Sequence, residues 1–220
     1  IKLSFAAGDG ILVNDNFESG SNGWTFASSY GGQYWVRGTA ANNGGNYGIY
    51  VYNGSSGDYG YNNYSNYSSS GNWVYYAYKT ISYVPVGNYS IKYDWRANGE
   101  STYDYLRVAL VPSSTTLSNG STPSDFSNTT LPSGWIAADG GGKLNLSTSW
   151  ATKEVTVNVT TAGSYYLVFV WRNDHSVQNQ PPAAIDNVYM GPACDDPELS
   201  YSPTSHTITY GDSYTPPTFN

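Results

Sequence analysis

Apolar and polar side chains alternate along much of this chain, in short stretches separated by runs of Gly, Asn, Ser and Pro. In residues 89–96, for example, Tyr89, Ile91, Tyr93 and Trp95 share one side of an extended backbone, and polar residues share the other. A repeat of two residues is typical of a β-strand with one buried face. The first strand is predicted to begin at residues 11–13, and later strands at 33–37, 47–53, 73–81, 89–96, 105–111, 153–159, 165–172 and 184–190.

The same alternation predicts which side chains form the core. Inward-facing sets on three later strands are Leu106, Val108 and Leu110; Val155, Val157 and Val159; and Leu167, Phe169 and Trp171. Two long strands each follow a similar Gly-x-Tyr word, at Gly87 and Gly163, which predicts a tight turn leading into each strand.

Residues 112–150 break the strand rhythm with several Pro residues and a run of three Gly residues. Long segments of this kind in compact domains are usually functional or disordered. We expect this one to pass over one edge of the sandwich.

The composition favours strands over helices. The chain has 23 Tyr and seven Trp residues but one Met, and branched and aromatic side chains pack well on a pleated surface. About nine strands with long, irregular loops fit an all-β, two-sheet antiparallel jelly-roll sandwich better than a small immunoglobulin domain. Residues 1–10 are interpreted as a lead-in, 11–191 as the jelly-roll domain, and 192–220 as a linker and the start of a further domain.

Charge and cysteine content narrow the function classes. The net charge is −7, the pI is about 4.5 and only 11% of residues are charged, which disfavours nucleic acid and anionic membrane surfaces. Acidic loops would suit Ca²⁺, although acidity can equally serve solubility alone. No apolar run approaches membrane-spanning length. Cys194 is the only cysteine, so no internal disulfide forms.

Two short segments at the ends of the predicted domain carry a family resemblance. Residues 13–20 read Val-Asn-Asp-Asn-Phe-Glu-Ser-Gly and are followed by Gly23-Trp24, and residues 182–188 read Pro-Ala-Ala-Ile-Asp-Asn-Val. This pair resembles the ends of extracellular jelly-roll domains of the MAM-like, cleaved-adhesin and carbohydrate-binding-module groups. Residues 192–220 resemble the opening strands of a bacterial immunoglobulin-like repeat.

The resemblance implies that the first and last strands lie side by side and that their carboxylates share a structural Ca²⁺. Asp15, Glu18 and Asp186 are the implied ligands, with Asn16 and loop carbonyls as further oxygens. The alternative is that these carboxylates cap turns or are solvated at strand ends. Asp186 is followed by Asn187, where relatives have a second acidic residue, and this would lower the affinity for metal.

A second candidate site is a Tyr-rich stretch that also contains Asn, Ser and Gly. Tyr offers rigid contact area at a low entropy cost, and Asn and Ser add adaptable hydrogen bonds, a mixture that suits sugar rings. The nominated ligand-binding residues are Tyr59, Tyr61, Tyr64, Tyr67 and Trp73. The alternative is that these aromatic residues pack over an exposed sheet edge.

A third candidate is a polar strand face. Arg96, Arg107 and Arg172 are predicted to converge with Asp94 on one outward surface, where Arg forks would hold an acidic group or a sugar. The acidic residues at its rim would be Glu100, Asp104 and Asp174. The alternative is cross-strand pairing of Asp94 with Arg107 or Arg172.

Catalysis is poorly supported, because no carboxylate pair stands out and the two His residues lie beside no nucleophile motif. We therefore predict a non-catalytic, calcium-stabilised, glycan-binding module of a secreted or cell-surface multidomain protein, bacterial in type and monomeric. Its partner would be a glycan or polysaccharide, or a host or surface protein, with no nucleic acid and no membrane insertion. The alternatives are a protein-binding or spacer domain in a surface adhesin, and then a glycoside hydrolase domain.

Overall fold

A computed structural model describes residues 10–53, 72–174, 176–177 and 179–193 of the chain. These residues form strands connected by turns and loops, with no helix among them and so none that could traverse a lipid bilayer. The strands are β1 (Val13–Asp15), β2 (Trp24–Phe26), β3 (Gln33–Gly38), β4 (Gly48–Asn53), β5 (Trp73–Val84), β6 (Gly87–Ala97), β7 (Tyr105–Pro112), β8 (Gly120–Ser121), β9 (Ile136–Ala137), β10 (Ser147–Val159), β11 (Gly163–Asn173) and β12 (Ala184–Pro192).

The strands form two sheets, and every pairing is antiparallel. The first sheet runs β10-β6-β12-β4-β3, with β1 also paired to β12, and the second runs β2-β5-β11-β7-β9, with β8 paired to β5. Some strands that follow one another in sequence, such as β6 and β7, belong to different sheets, whereas β3 and β4 pair within the first sheet. The predicted all-β, two-sheet antiparallel jelly roll is confirmed.

The main core lies between the two sheets and is built from the inward faces predicted by the alternation. Trp35 and Trp171 are fully buried there, and the predicted inward sets on β7, β10 and β11 belong to this cluster or pack against it. The two Gly-x-Tyr turns are confirmed as well. Tyr89 and Tyr165 each donate their hydroxyl to a carbonyl four residues earlier, over 3.0 Å and 2.7 Å.

The strand predictions differ from the structure mainly for three short strands. The pattern did not predict β2, β8 or β9, which are two or three residues long. Such strands are too short to show an alternation, so their pairing is decided by the neighbouring strands β5 and β7.

Residues 112–150 were predicted to pass over one edge of the sandwich; they add β9 beside β7 at the edge of the second sheet, and they also cover the outer face of this sheet. Phe126 packs with Tyr105 and other residues of β5, β7 and β11 in a second apolar cluster on the outer face of the second sheet. Leu117, Leu131 and Trp135 pack against the same cluster. The outward face of this sheet is apolar. The segment covers it and forms a second core with it.

The two ends of the domain meet, as the resemblance implied. Strand β1 pairs with β12 so that Asp15 lies opposite Val188. Where β12 passes Asp186 and Asn187 its register against β6 shifts, and Asn187 has φ 51°. This is a bulge at a residue type that tolerates the left-handed region, and it redirects the side chains of both residues.

Candidate functional site

Asp15 is a buried carboxylate, 3% exposed, whose two oxygens are both engaged. Its Oδ1 accepts hydrogen bonds from the backbone N–H of Phe17 and from Asn22 Nδ2, each over 2.9 Å. Its Oδ2 accepts one from Trp24 Nε1 over 2.9 Å and lies 3.6 Å from Lys79 Nζ. Asp15 therefore anchors the turn after β1 and has its charge compensated within the protein.

Glu18 and Asp186 hold the loop between β3 and β4. Asp186 Oδ2 accepts a hydrogen bond from the backbone N–H of Asn43 over 2.7 Å. Glu18 Oε1 accepts bonds from the backbone N–H groups of Asn46 and Tyr47, over 2.9 Å and 2.8 Å. The bond from Tyr47 is the main cause of a pKa of Glu18 below its ordinary value. The two carboxylates thus accept backbone hydrogen bonds from two parts of the same loop.

Asp186 is the most perturbed carboxylate in this region. The pKa of Asp186 is raised to about 6, chiefly by burial and also by the nearby charges of Asp94 and Glu18, against hydrogen bonds from Asn43 and Asn187 that lower it. Desolvation acts to raise the pKa of Asp94 too, but hydrogen bonds from Thr152, Asn187 and other side chains outweigh it, so that pKa is lowered. Asp186 carries a charge that its surroundings compensate incompletely.

The expectation that Asp15, Glu18 and Asp186 surround one ion is not met. Among the described residues, acidic ligand atoms that all lie within 4.8 Å of one another belong to another group. The physical reason is that Asp15 is directed to Trp24 and Asn22, away from the loop that Glu18 and Asp186 hold.

The predicted convergence of the arginines is wrong. Arg96 lies on β6 in the first sheet, whereas Arg107 and Arg172 lie on β7 and β11 in the second. The alternative pairing of Asp94 with Arg107 or Arg172 is wrong for the same reason, and Asp94 instead accepts a hydrogen bond from Thr152 over 2.6 Å.

Arg107 is 1% exposed beneath the 112–150 segment. Its Nε lies 2.5 Å from Asp139 Oδ2, and its Nη1 donates to the carbonyls of Ser127 and Thr130 over 2.6 Å and 3.1 Å. It therefore fastens the segment to the second sheet, and the charge of Asp139 is compensated.

The other two arginines stack on aromatic rings. Arg172 is 6% exposed, lies over the rings of Tyr103 and Tyr105 at 5.6 Å and 5.2 Å, and donates to the Tyr103 carbonyl. On the first sheet, Arg96 of β6 lies 5.8 Å from the ring of Trp150 of β10. An isolated sequence cannot reveal such contacts, because each partner comes from another strand or loop.

Aromatic side chains gather where the Tyr-rich segment leaves and rejoins the described chain. Tyr30 packs on Trp73 with ring centroids 4.8 Å apart, and Tyr34 meets Tyr52 edge-on at 5.6 Å. A cleft of about 440 Å³ is lined by Tyr34, Arg37, Phe26 and Ser28 with its neighbours, so it adjoins the Tyr34 pair. Of the nominated residues, Trp73 belongs to the Tyr30 pair and is not among the residues that line the cleft. Tyr59, Tyr61, Tyr64 and Tyr67 lie outside the described residues, as does Cys194.

The acidic group that the sequence placed at the rim of a surface forms a cluster of its own. Ligand atoms of Glu100, Asp104 and Asp174 all lie within 4.8 Å of one another. Asp104 is fully buried, and its Oδ1 accepts a hydrogen bond from the backbone N–H of Asp174 over 3.0 Å. All three were expected at the rim of one polar surface, and they lie together although Asp174 is 70 positions from Asp104 in sequence.

Comparison with known proteins gives likeness at the level of structure. No protein-family model matches the chain, and no curated protein matches its sequence. Similar solved structures include the C-terminal family 22 carbohydrate binding module of Clostridium thermocellum Xyn10B, at 15% identity and a TM-score of 0.49 over 86% of this chain and 98% of that one. The CBM22-1 xylan-binding domain of Paenibacillus barcinonensis Xyn10C has 10% identity and a TM-score of 0.46, over 84% and 97%.

A third similar structure is TmCBM61 in complex with beta-1,4-galactotriose, at 10% identity and a TM-score of 0.42, over 83% of this chain and 98% of that one. The likeness concerns the arrangement of strands, and no residue role follows from it. The resemblance to MAM-like and cleaved-adhesin domains stays a prediction, as does the immunoglobulin-like start within residues 192–220.

Proposed function

We propose that this chain is a non-catalytic glycan-binding module of a secreted or cell-surface protein. The observation that carries the proposal is two aromatic pairs, Tyr30 with Trp73 and Tyr34 with Tyr52, at the two ends of the Tyr-rich segment. Tyr30 is 39% exposed, so part of this group faces solvent. Aromatic faces with adjacent hydroxyls match the apolar C–H faces and hydroxyl edges of sugar rings.

The adjacent cleft has the size and lining for a short stretch of sugar chain. Its volume of about 440 Å³ lies within the usual range for small-ligand sites. Ser21, Ser28 and Ser29 offer hydroxyls, and Tyr34 and Phe26 offer apolar surface. This mixture favours a neutral, hydroxylated ligand over an apolar or strongly charged one.

Tyr59, Tyr61, Tyr64 and Tyr67 are proposed to complete the surface, because the segment that carries them joins β4 to β5 at this aromatic group. Arg96 is proposed as a further polar contact on the first sheet. Arg107 and Arg172 are almost fully buried and engaged, so we assign them a structural role.

A structural Ca²⁺ is proposed at Glu18 and Asp186. The donor chemistry fits, since both offer carboxylate oxygens and Asp186 is buried with its charge incompletely compensated. Asp15 does not fit the same ion, since Trp24, Asn22 and Lys79 already engage it. The ion would supply positive charge between β12 and the loop that Glu18 and Asp186 hold.

The test is a glycan array followed by titration calorimetry with the strongest hit, with and without a chelator. Replacing Tyr59, Tyr61, Tyr64 and Tyr67 together by Ala, or Trp73 alone, should weaken binding by more than about tenfold. The matched control is Tyr83→Ala, a tyrosine 61% exposed near the far end of β5, which should bind as the parent protein does. A blank array would favour the spacer or protein-binding alternatives. Variants that keep the parent's melting temperature and affinity would mean that the glycan does not bind at these aromatic residues.

A further inference from the structure

We propose that Glu100, Asp104 and Asp174, together with Asn173, form a second divalent-cation site, for Ca²⁺, at one end of the sandwich. It shares no residue with the site proposed at Glu18 and Asp186 and does not depend on glycan binding.

The strand register brings these residues together. The ladder of β11 and β7 ends at the pair Arg172 and Tyr105, and Asn173 and Asp104 are the next residues beyond it. The backbone N–H of Asp174 donates to Asp104 Oδ1 over 3.0 Å, so the two segments stay close beyond the last pair. By the period of two, both side chains follow the inward direction of their strands, after Trp171 and before Leu106 respectively.

Oxygen atoms at this place lack hydrogen-bond donors. Asn173 is 0% exposed, and its Oδ1 accepts no hydrogen bond, although its Nδ2 donates to the Asp174 carbonyl over 3.3 Å. Glu100 Oε1 is also buried and accepts none. Buried acceptors without a donor are costly and rare, so an amide oxygen and a carboxylate oxygen left together in this way indicate a missing electrophilic partner.

The charge balance agrees. Three carboxylates lie within 4.8 Å of one another, where like charges destabilise the folded chain. Burial raises the pKa of Glu100, and the charge of Asp174 raises it further; Arg172 lowers it only in part. Arg172 stacks on Tyr103 and Tyr105 and donates to a carbonyl, so its charge is shared with other groups.

The loop that carries Glu100 is held in place before any ion binds. Asn145 Nδ2 donates to the carbonyls of Glu100 and Asp104, and Asn179 Nδ2 donates to the Gly99 carbonyl over 3.0 Å. A cage whose walls are fixed loses little entropy on binding.

The ligand chemistry selects the cation. Every offered atom is a carboxylate or amide oxygen, which suits Ca²⁺ with its six to eight oxygens in flexible geometry. The set has no Cys or His, the ligands that Zn²⁺ favours in structural sites. Bound there, Ca²⁺ would tie the β6–β7 loop to the end of β11.

The experiment is titration calorimetry of Ca²⁺ into chelator-treated protein. The parent should bind, and Glu100→Gln should weaken this site by at least about tenfold, since affinity follows the number of charged ligands. Glu154→Gln is the matched control, as it removes an exposed carboxylate on β10 that accepts a bond from Ser90. A Glu18→Gln, Asp186→Asn background isolates this site from the other one, and binding should persist in it.

Melting temperatures give a second readout that an ordinary structural role would not produce. In chelator, Glu100→Gln and Asp104→Asn should raise the melting temperature, because repulsion is relieved; in Ca²⁺ both should lower it relative to the parent. Equal Ca²⁺ affinity in Glu100→Gln and parent, or no binding up to about 1 mM, the weak end for extracellular modules, would overturn the proposal. If Asp104→Asn does not fold, Glu100→Gln alone decides.

Discussion

Asp15, the last residue of β1, and Asp104, just before β7, are both buried carboxylates. The charges around them are opposite, because Asp15 has a lysine nearby and Asp104 has two carboxylates. Asp15 receives hydrogen bonds from Phe17 N, Asn22 and Trp24 and has Lys79 at 3.6 Å. Asp104 is grouped with two further carboxylates. The difference teaches that burial of a carboxylate does not by itself indicate an ion, because the nearby donors and charges decide whether one is needed.

Asp186 lies between these extremes. It accepts backbone hydrogen bonds from Asn43 and Asn187, each over 2.7 Å, but its pKa is still raised to about 6 by burial and by neighbouring carboxylates. A graded series of compensation therefore runs from Asp15 through Asp186 to the Glu100 cluster, and substitutions can test each step.

The largest effect is expected at the compensated end. Asp15→Ala leaves Trp24 Nε1, Asn22 and the Phe17 N–H without their acceptor in a buried site, and we expect a loss of about 3 kcal/mol in the free energy of unfolding. Urea denaturation in chelator measures it, and Glu154→Ala should stay within about 0.5 kcal/mol of the parent. A loss below about 1 kcal/mol would place Asp15 with the weakly engaged surface carboxylates.

The pH dependence of stability tests the intermediate step. The folded-state pKa of Asp186 is raised from 3.8 to about 6, so its folded form binds a proton more tightly than the unfolded chain. Its contribution is complete below about pH 4 and is lost as the pH rises through 6, by about 3 kcal/mol.

In chelator, the free energy of unfolding of the parent should therefore fall between pH 4 and about 7, and Asp186→Asn should flatten this fall. Glu100, whose pKa is also raised, adds a slope of the same sign. The carboxyls of Glu18 and Asp94 have lowered pKa values, so each adds a slope of the opposite sign. Parallel pH curves for Asp186→Asn and the parent would contradict the assignment.

The smallest effect concerns the loop that Glu18 and Asp186 hold. A Cβ at Gly45 would collide with Glu18 Oε1, so Gly45→Ala should turn Glu18 away from the N–H groups of Asn46 and Tyr47. Gly44→Ala is the matched control, since Gly44 also has positive φ but meets nothing within 4 Å. Thermal unfolding should show a lower melting temperature for Gly45→Ala than for Gly44→Ala. Equal stability would mean that Glu18 contributes little to holding the loop.

The strands and the core were predictable because their signal is local. Leu106, Val108 and Leu110 follow the period of a strand with one buried face. The turns at Gly87 and Gly163 correctly predict where β6 and β11 begin. The pairing of β1 with β12 followed from a family resemblance at Asp15 and Asp186, since no periodicity links residues so far apart.

The candidate sites were less predictable. Arg107 was placed on an open surface, because its strand face is outward, but the 112–150 segment covers that face and Asp139 pairs with it. Glu100 and Asp174 were expected only at the rim of a surface, and not as a group of their own. They lie close together because β7, which follows the loop of Glu100, pairs with β11, which ends just before Asp174.

The sequence by itself determined the class of fold, the faces of the long strands and a segment rich in Tyr, because these depend on side-chain chemistry within a few residues. Only the tertiary structure decided which carboxylates have donors and which face one another. The hydrogen bonds of Asp15 and the repulsion within the Glu100 cluster both depend on distances of a few ångströms between distant positions, and electrostatic energies change steeply over such distances.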